Sequence, residues 1–277
     1  MADISTKITA FKNAVYGSNV KSTMTDLLNT VETTNTFNFG THSSGNTIRL
    51  YRGKCLGVGP TFEQASTKEQ RTAIRNGTYV DMFIGDYWEV NDVIYRIADI
   101  NYWYQSGGGT TAHYVLVPDI SFGIDNMNEE DSTIGAYALS TIKNNTKSLL
   151  NKVKDRITVD FGRYLFTIRR TFPNTTVDGA QSACSWYNST VDFMTEFMVF
   201  GTYNKCKKND GSYISTSDRK QLRLFQLNPT LINLRTSYWL LDVASEESFV
   251  IVSANGTSSS ANASTMHGVR PVFAIKG

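Results

Sequence analysis

The sequence predicts an α+β fold built from short strands and a few helices, and three observations carry that expectation. Aromatic and β-branched runs crowd between Tyr79 and Val117 and again after Leu222, each cut into short pieces by Gly, Asn and Asp. Apolar residues at helical spacing fall in separate blocks, so no strand–helix–strand alternation is present. The chain has 277 residues, 40% hydrophobic and 12% aromatic. That length suits one large domain, or one domain plus a small appendage, able to bury about three quarters of its surface.

Each element follows from its own pattern. Ile4, Ile8, Phe11 and Val15 form one helical stripe, and Val20, Met24, Leu27 and Val31 form a second after the break at Gly17. Helices this short are marginal alone, so both stripes need a partner: the main domain, or another copy or protein. Residues 1–35 are therefore read as a helical anchoring or oligomerisation segment and 36–277 as a head domain. A Thr/Asn/Ser/Gly-rich linker runs from Thr33 to Ser44, followed by short strands at 46–52 and 55–58 and one helix from Thr61 to Asn76. Strands are expected at 79–83, 87–90, 93–104 and 112–117, with Gly107-Gly108-Gly109 as a hairpin loop. Residues 133–156 read as helical, 163–170 as a strand or short helix, and a helical stretch falls within Thr176 to Phe200. Strands close the chain at 238–243, 248–253 and 269–275.

Composition excludes several classes. With 27 Lys+Arg against 25 Asp+Glu, the chain lacks the basic surplus of a bulk-charge nucleic-acid binder. No run reaches the roughly 18 apolar residues of a membrane span, so no membrane insertion is expected. The opening Met1-Ala2-Asp3-Ile4-Ser5-Thr6-Lys7 lacks a signal-peptide core, which points away from the usual export route. Six N-x-[ST] sequons, at Asn76, Asn144, Asn174, Asn188, Asn255 and Asn262, then reflect Asn/Thr-rich composition.

Chemical motifs are equally sparse. Cys55, Cys184 and Cys206 are far apart and odd in number, and are read as plain core or subsurface residues. His42, His113 and His267 lack metal-ligand spacing, and no P-loop, G-x-S-x-G or G-x-G-x-x-G occurs. No cofactor, metal or catalytic residue is expected. A glycan-processing activity would use carboxylates such as Glu129, Glu130 and Asp131. Adjacent carboxylates on one loop, however, more often face solvent than flank a cleft about 5–10 Å wide. Residues 254–265 contain only Ser, Thr, Asn, Ala and Gly, so they form an exposed loop or polar hairpin, either a flexible connection or a recognition surface.

Two C-terminal segments carry a resemblance. Ser237-Tyr238-Trp239-Leu240-Leu241-Asp242-Val243, the polar stretch, and Gly268-Val269-Arg270-Pro271-Val272-Phe273 are similar to the end of C-type-lectin-like, formylglycine-generating-enzyme-like domains of phage and bacterial proteins. Ile84-Gly85-Asp86-Tyr87-Trp88-Glu89-Val90, Tyr95-Arg96-Ile97-Ala98, Val115 to Pro118, and Met127-Asn128 through Gly135-Ala136-Tyr137 extend it over most of the chain. Phe11 to Val20 resembles the opening of phage baseplate and fibre proteins, where a short helical segment joins the virion. The family's Arg-Ser after Trp-Leu is Leu241-Asp242 here, so that arginine's contacts do not carry over. No cysteine pair matches the sulfatase-activating relatives, and no calcium motif of the sugar-binding ones occurs.

The resemblance implies a C-type-lectin-like head with short antiparallel strands. Tyr238, Trp239, Gly268, Arg270 and Pro271 would be architectural: Trp239 in the core, Gly268 at a close approach, Arg270 anchoring a loop through its planar fork. Ligand-facing candidates lie between the two motifs: Asp242, Ser245, Glu246, Glu247, Ser253, Asn255, Thr257, Ser258, Asn262, Ser264, Thr265 and His267. The implied protein is a non-enzymatic virion component of a tailed bacteriophage, assembled in the host cytoplasm. It would be a homo-oligomer, with a trimer as the expectation, joined to other virion proteins through its N-terminal segment. Its head would attach to a host-surface glycan or protein; the alternative is a decoration or structural protein of capsid, neck or tail.

Overall fold

The computed structural model describes residues 51–79, 81–207, 217–218 and 220–277. The expected anchoring segment at 1–35 lies outside these residues. The described chain is α+β, dominated by sheet.

It opens with β1 (Cys55–Gly59), α1 (Phe62–Ala65) and α2 (Lys68–Asn76). The single helix expected over Thr61–Asn76 is thus divided at Ser66-Thr67. Thr67 and Gln70 form a capping box there, with Gln70 N–H donating to Thr67 Oγ1 at 3.2 Å and Thr67 N–H to Gln70 Oε1 at 3.0 Å. That reciprocal pair starts a new helix. Next come β2 (Tyr87–Val90), β3 (Val93–Ile100), β4 (Tyr114–Pro118) and β5 (Ile124–Asp125). The strand expected at 79–83 does not form, since Tyr79 and Asp81 take φ of 49° and 52°. The Gly107–Gly109 run lies in the β3–β4 connection, where a loop was expected.

A 3-10 turn (Tyr137–Leu139), α3 (Thr141–Asn144) and α4 (Leu149–Phe161) replace the continuous helical block expected at 133–156. Then follow β6 (Leu165–Phe166), β7 (Ile168–Val177), β8 (Ala180–Ser189), β9 (Val191–Phe193), α5 (Glu196–Phe200) and α6 (Arg223–Leu227). The helical stretch expected within Thr176–Phe200 is corrected: only α5 is helical, residues up to Ser189 belong to the β7–β8 hairpin, and Val191–Phe193 is β9. The hairpin turn is Asp178-Gly179, with φ of 50° and 69°, and Val177 pairs with Ala180 across it. Two consecutive positive φ values define the tight hairpin turn for which Asp-Gly is suited. The chain ends in β10 (Tyr238–Val243), β11 (Ser248–Val252), β12 (Ser258–Asn262), β13 (His267–Gly268) and β14 (Pro271–Ile275). These match the three expected strands, and the polar stretch proves to be a hairpin, with β12 paired to β11.

Two larger sheets result. One has the order β1-β2-β3-β4-β14-β6, with β9 also paired to β14; the other is β12-β11-β10-β13-β5. Aromatic packing fills the interior: Phe161 on α4 lies 5.0 Å from Tyr95, 5.3 Å from Phe62 and 4.9 Å from Phe273, ring centre to ring centre. The Gly268-Val269-Arg270-Pro271 segment is where the chain leaves one sheet and enters the other. Arg270 is buried at that crossing and donates to Pro118 O at 3.0 Å, Leu231 O at 3.0 Å and Tyr238 Oη at 3.0 Å. A Cβ on Gly268 would lie 2.5 Å from Ser121 Oγ and 2.7 Å from Ser237 O, so the backbone needs glycine there.

Candidate functional site

Three connections meet at one end of β11: the 131–134 segment, the Asp178-Gly179 turn and the 244–247 turn between β10 and β11. Thr133 ties them together. Its N–H donates to Glu246 O at 2.9 Å, its Oγ1 lies 2.9 Å from Ser245 O, and its carbonyl accepts from Thr176 Oγ1 at 3.4 Å. Gly179 fits against the third wall, since a Cβ there would come within 2.3 Å of Glu246 N. The result is a groove of about 480 Å³ lined by Asp131, Ser132, Thr133, Ile134, Thr176, Asp178, Gly179, Glu246 and Glu247. Its volume falls within the range of about 300–1,000 Å³ typical of ligand sites.

The groove is anionic, with four carboxylates and no Lys or Arg among its lining residues. Lys207 Nζ binds the Asp178 carbonyl from outside the lining. Asp131 is fixed in place: Oδ1 accepts from Ser264 Oγ at 2.6 Å and Ser264 N at 3.0 Å, and Oδ2 from Asn262 Nδ2 at 2.9 Å. Those bonds, the Ser264 hydroxyl first, hold its carboxyl below the usual carboxylate range. Ile134, one of the lining residues, is 84% exposed and leaves an aliphatic edge beside the charges. No lining residue is aromatic, so recognition here runs through charge, hydrogen bonds and aliphatic contact.

The twelve ligand-facing candidates do not converge on one site. Glu246 and Glu247 line the groove, Ser245 supports its wall, and Asn262 and Ser264 position Asp131. Ser253, Asn255 and Thr257 bond one another in the turn at the far end of the β11–β12 hairpin, roughly 13 Å away at strand rise. Ser258 donates to the buried Glu196. Thr265 Oγ1 donates to Asn262 O at 2.6 Å. His267 Nδ1 lies 2.6 Å from Ser237 Oγ, with its ring edge-on to Trp239.

Asp242 is only 1% exposed, because Leu241, Asp242 and Val243 form part of a strand covered on both faces. It does not face a ligand. Trp239 is buried, and its Nε1 donates to Asp125 O at 2.8 Å. Cys184 and Cys206 are half-buried, whereas Cys55 is exposed, contrary to a core or subsurface reading of all three.

Sequence reasoning missed the groove residues Ser132, Thr133, Ile134, Thr176, Asp178 and Gly179. Only the Asp178-Gly179 turn signal was there to find, and it lay inside a stretch read as helix. Glu129 and Glu130 are exposed outside the groove, while Asp131 enters it. Among the described residues, no group of three or more His, Cys, Asp and Glu is arranged to hold a metal, and no helix is long and apolar enough to cross a membrane. No protein-family model, no curated protein and no solved structure matches the chain.

Proposed function

We propose that the protein is a non-enzymatic virion component of a tailed bacteriophage whose C-type-lectin-like head attaches to the host cell surface. The observation that carries this reading is the groove beside the β10–β11 turn. It is recessed, polar and built by three connections locked on a packed scaffold, which is how rigid folds present recognition surfaces. The Trp-Leu and Gly-Val-Arg-Pro motifs supply the kinship, and residues 1–35 supply the link to the virion and to further copies of the chain. No cofactor takes part.

The test is binding of the full-length protein to intact bacterial cells and isolated cell-wall glycans, beside the variant Asp178→Asn/Glu246→Gln/Glu247→Gln. Saturable binding that weakens tenfold or more in the variant, with the melting temperature unchanged, supports attachment through the groove. Equal binding by both proteins removes the groove from the account. The exposed aliphatic side chain of Ile134 at the groove favours a second reading, a decoration protein whose groove meets another virion protein. Absence of binding to any cell or glycan, with normal particle incorporation, favours that reading.

A further inference from the structure

Asp242 is a buried carboxylate that groove recognition leaves unused. Its Oδ2 accepts the Glu196 N–H at 2.5 Å, at the start of α5, while its Oδ1 is buried with no group at hydrogen-bond geometry, the Gln181 side chain being the nearby amide that favours its charged form. Glu196 is also fully buried and is saturated: its carboxylate accepts from Lys205 N at 2.9 Å, Cys206 N at 2.9 Å and Ser258 Oγ. Gln181 and Cys184 of β8, Tyr203 and Asp218 face the same site. Asp218 is paired with Arg170 at 2.8 Å, and Asp192 of β9 is held by Tyr137 Oη and Lys143 Nζ, each at 2.7 Å. Among the described residues, the charges that act most on Asp242 are those of Glu196 and Asp218, both negative.

We propose that Asp242 is a proton-operated latch that joins β10 to α5, to the Lys205–Cys206 segment and, through Glu196, to β12. With a proton on Oδ1, the site holds a neutral acid that burial tolerates. Loss of that proton adds a third carboxylate charge beside Glu196 and Asp218 and loosens the Glu196 contacts. Burial is the main cause that pushes the Asp242 carboxyl up to about 7, helped by the charges of Glu196 and Asp218, while the Glu196 N–H and the Gln181 side chain oppose it. The latch rests on the fold alone; its consequence for attachment, through Ser258 and the β11–β12 hairpin, rests on the function proposed above.

The sign follows from linkage. Asp242 is raised in the folded state, so its contribution is full below the unfolded value near 4 and is lost as pH rises to about 7. Other titrating groups are common to wild type and Asp242→Asn, so the readout is the difference between them in urea unfolding of the full chain. The account expects wild type to lose about tenfold in folding equilibrium per pH unit between about 4 and 7 relative to Asp242→Asn, and nothing further above. Parallel curves would overturn it. If Asp242→Asn does not fold, the carboxyl-carbon resonance of Asp242 in wild type decides: a midpoint at or above pH 6 supports the latch, and one below 6 overturns it. Cell binding at pH 6 and 8 is scored separately, so a failed attachment reading leaves these outcomes intact.

Discussion

At the scale of single residues, buried polar groups decide how the fold responds to its surroundings. His113 is fully buried, with Nδ1 2.8 Å from Thr111 O and Nε2 accepting the Trp103 N–H at 3.2 Å. Those partners call for the neutral ring protonated on Nδ1. Burial holds the imidazole down at about 4. The unfolded chain takes up this proton first, so the contribution is present above about 6.5 and is lost as pH falls to about 4, on the order of 3 kcal/mol. A histidine NMR titration should show no protonation of His113 above pH 5; a normal midpoint near 6.5 would contradict the burial argument. Arg270 gives a second prediction. Arg270→Met removes the donors of Pro118 O and Leu231 O at a buried site and should cost about 3 kcal/mol in urea unfolding. A loss under about 1 kcal/mol would show that the crossing between sheets does not depend on the guanidinium.

At the scale of elements, turn chemistry mattered more than apolar spacing. The β10, β11 and β14 strands were legible because their apolar runs are bounded by polar or glycine residues and are long enough to be distinctive. The β7–β8 hairpin was not. Trp186, Phe193, Phe197 and Met198 can be placed on a helical stripe, but only the last two are in a helix. The Asp178-Gly179 pair breaks the segment, and its two positive φ values cannot be accommodated in a right-handed helix. For the same reason the groove was only half visible: Glu246, Glu247, Asn262 and Ser264 lie near the C-terminal motifs, while Thr133 and Gly179 reach it only through tertiary folding. Gly179→Ala tests that assembly. The substitution strains a positive φ and drives Cβ into the Glu246 backbone, so it should cost about 2 kcal/mol or more and widen the groove. Unchanged stability, measured by thermal unfolding, would mean the three walls are not interlocked there.

At the scale of the whole molecule, two sheets share a C-terminal crossing, and connections gathered at one end of the smaller sheet form the anionic groove. The scaffold is apolar and aromatic, and the groove is polar and close to it in sequence only on one side. Under the function proposed above, such a division would let the described domain present a fixed surface. The most direct test is the cell-binding comparison of the full chain with Asp178→Asn/Glu246→Gln/Glu247→Gln. The account predicts saturable binding by wild type, at least tenfold weaker in the variant, at equal melting temperature. Binding that is indifferent to all three carboxylates would contradict it.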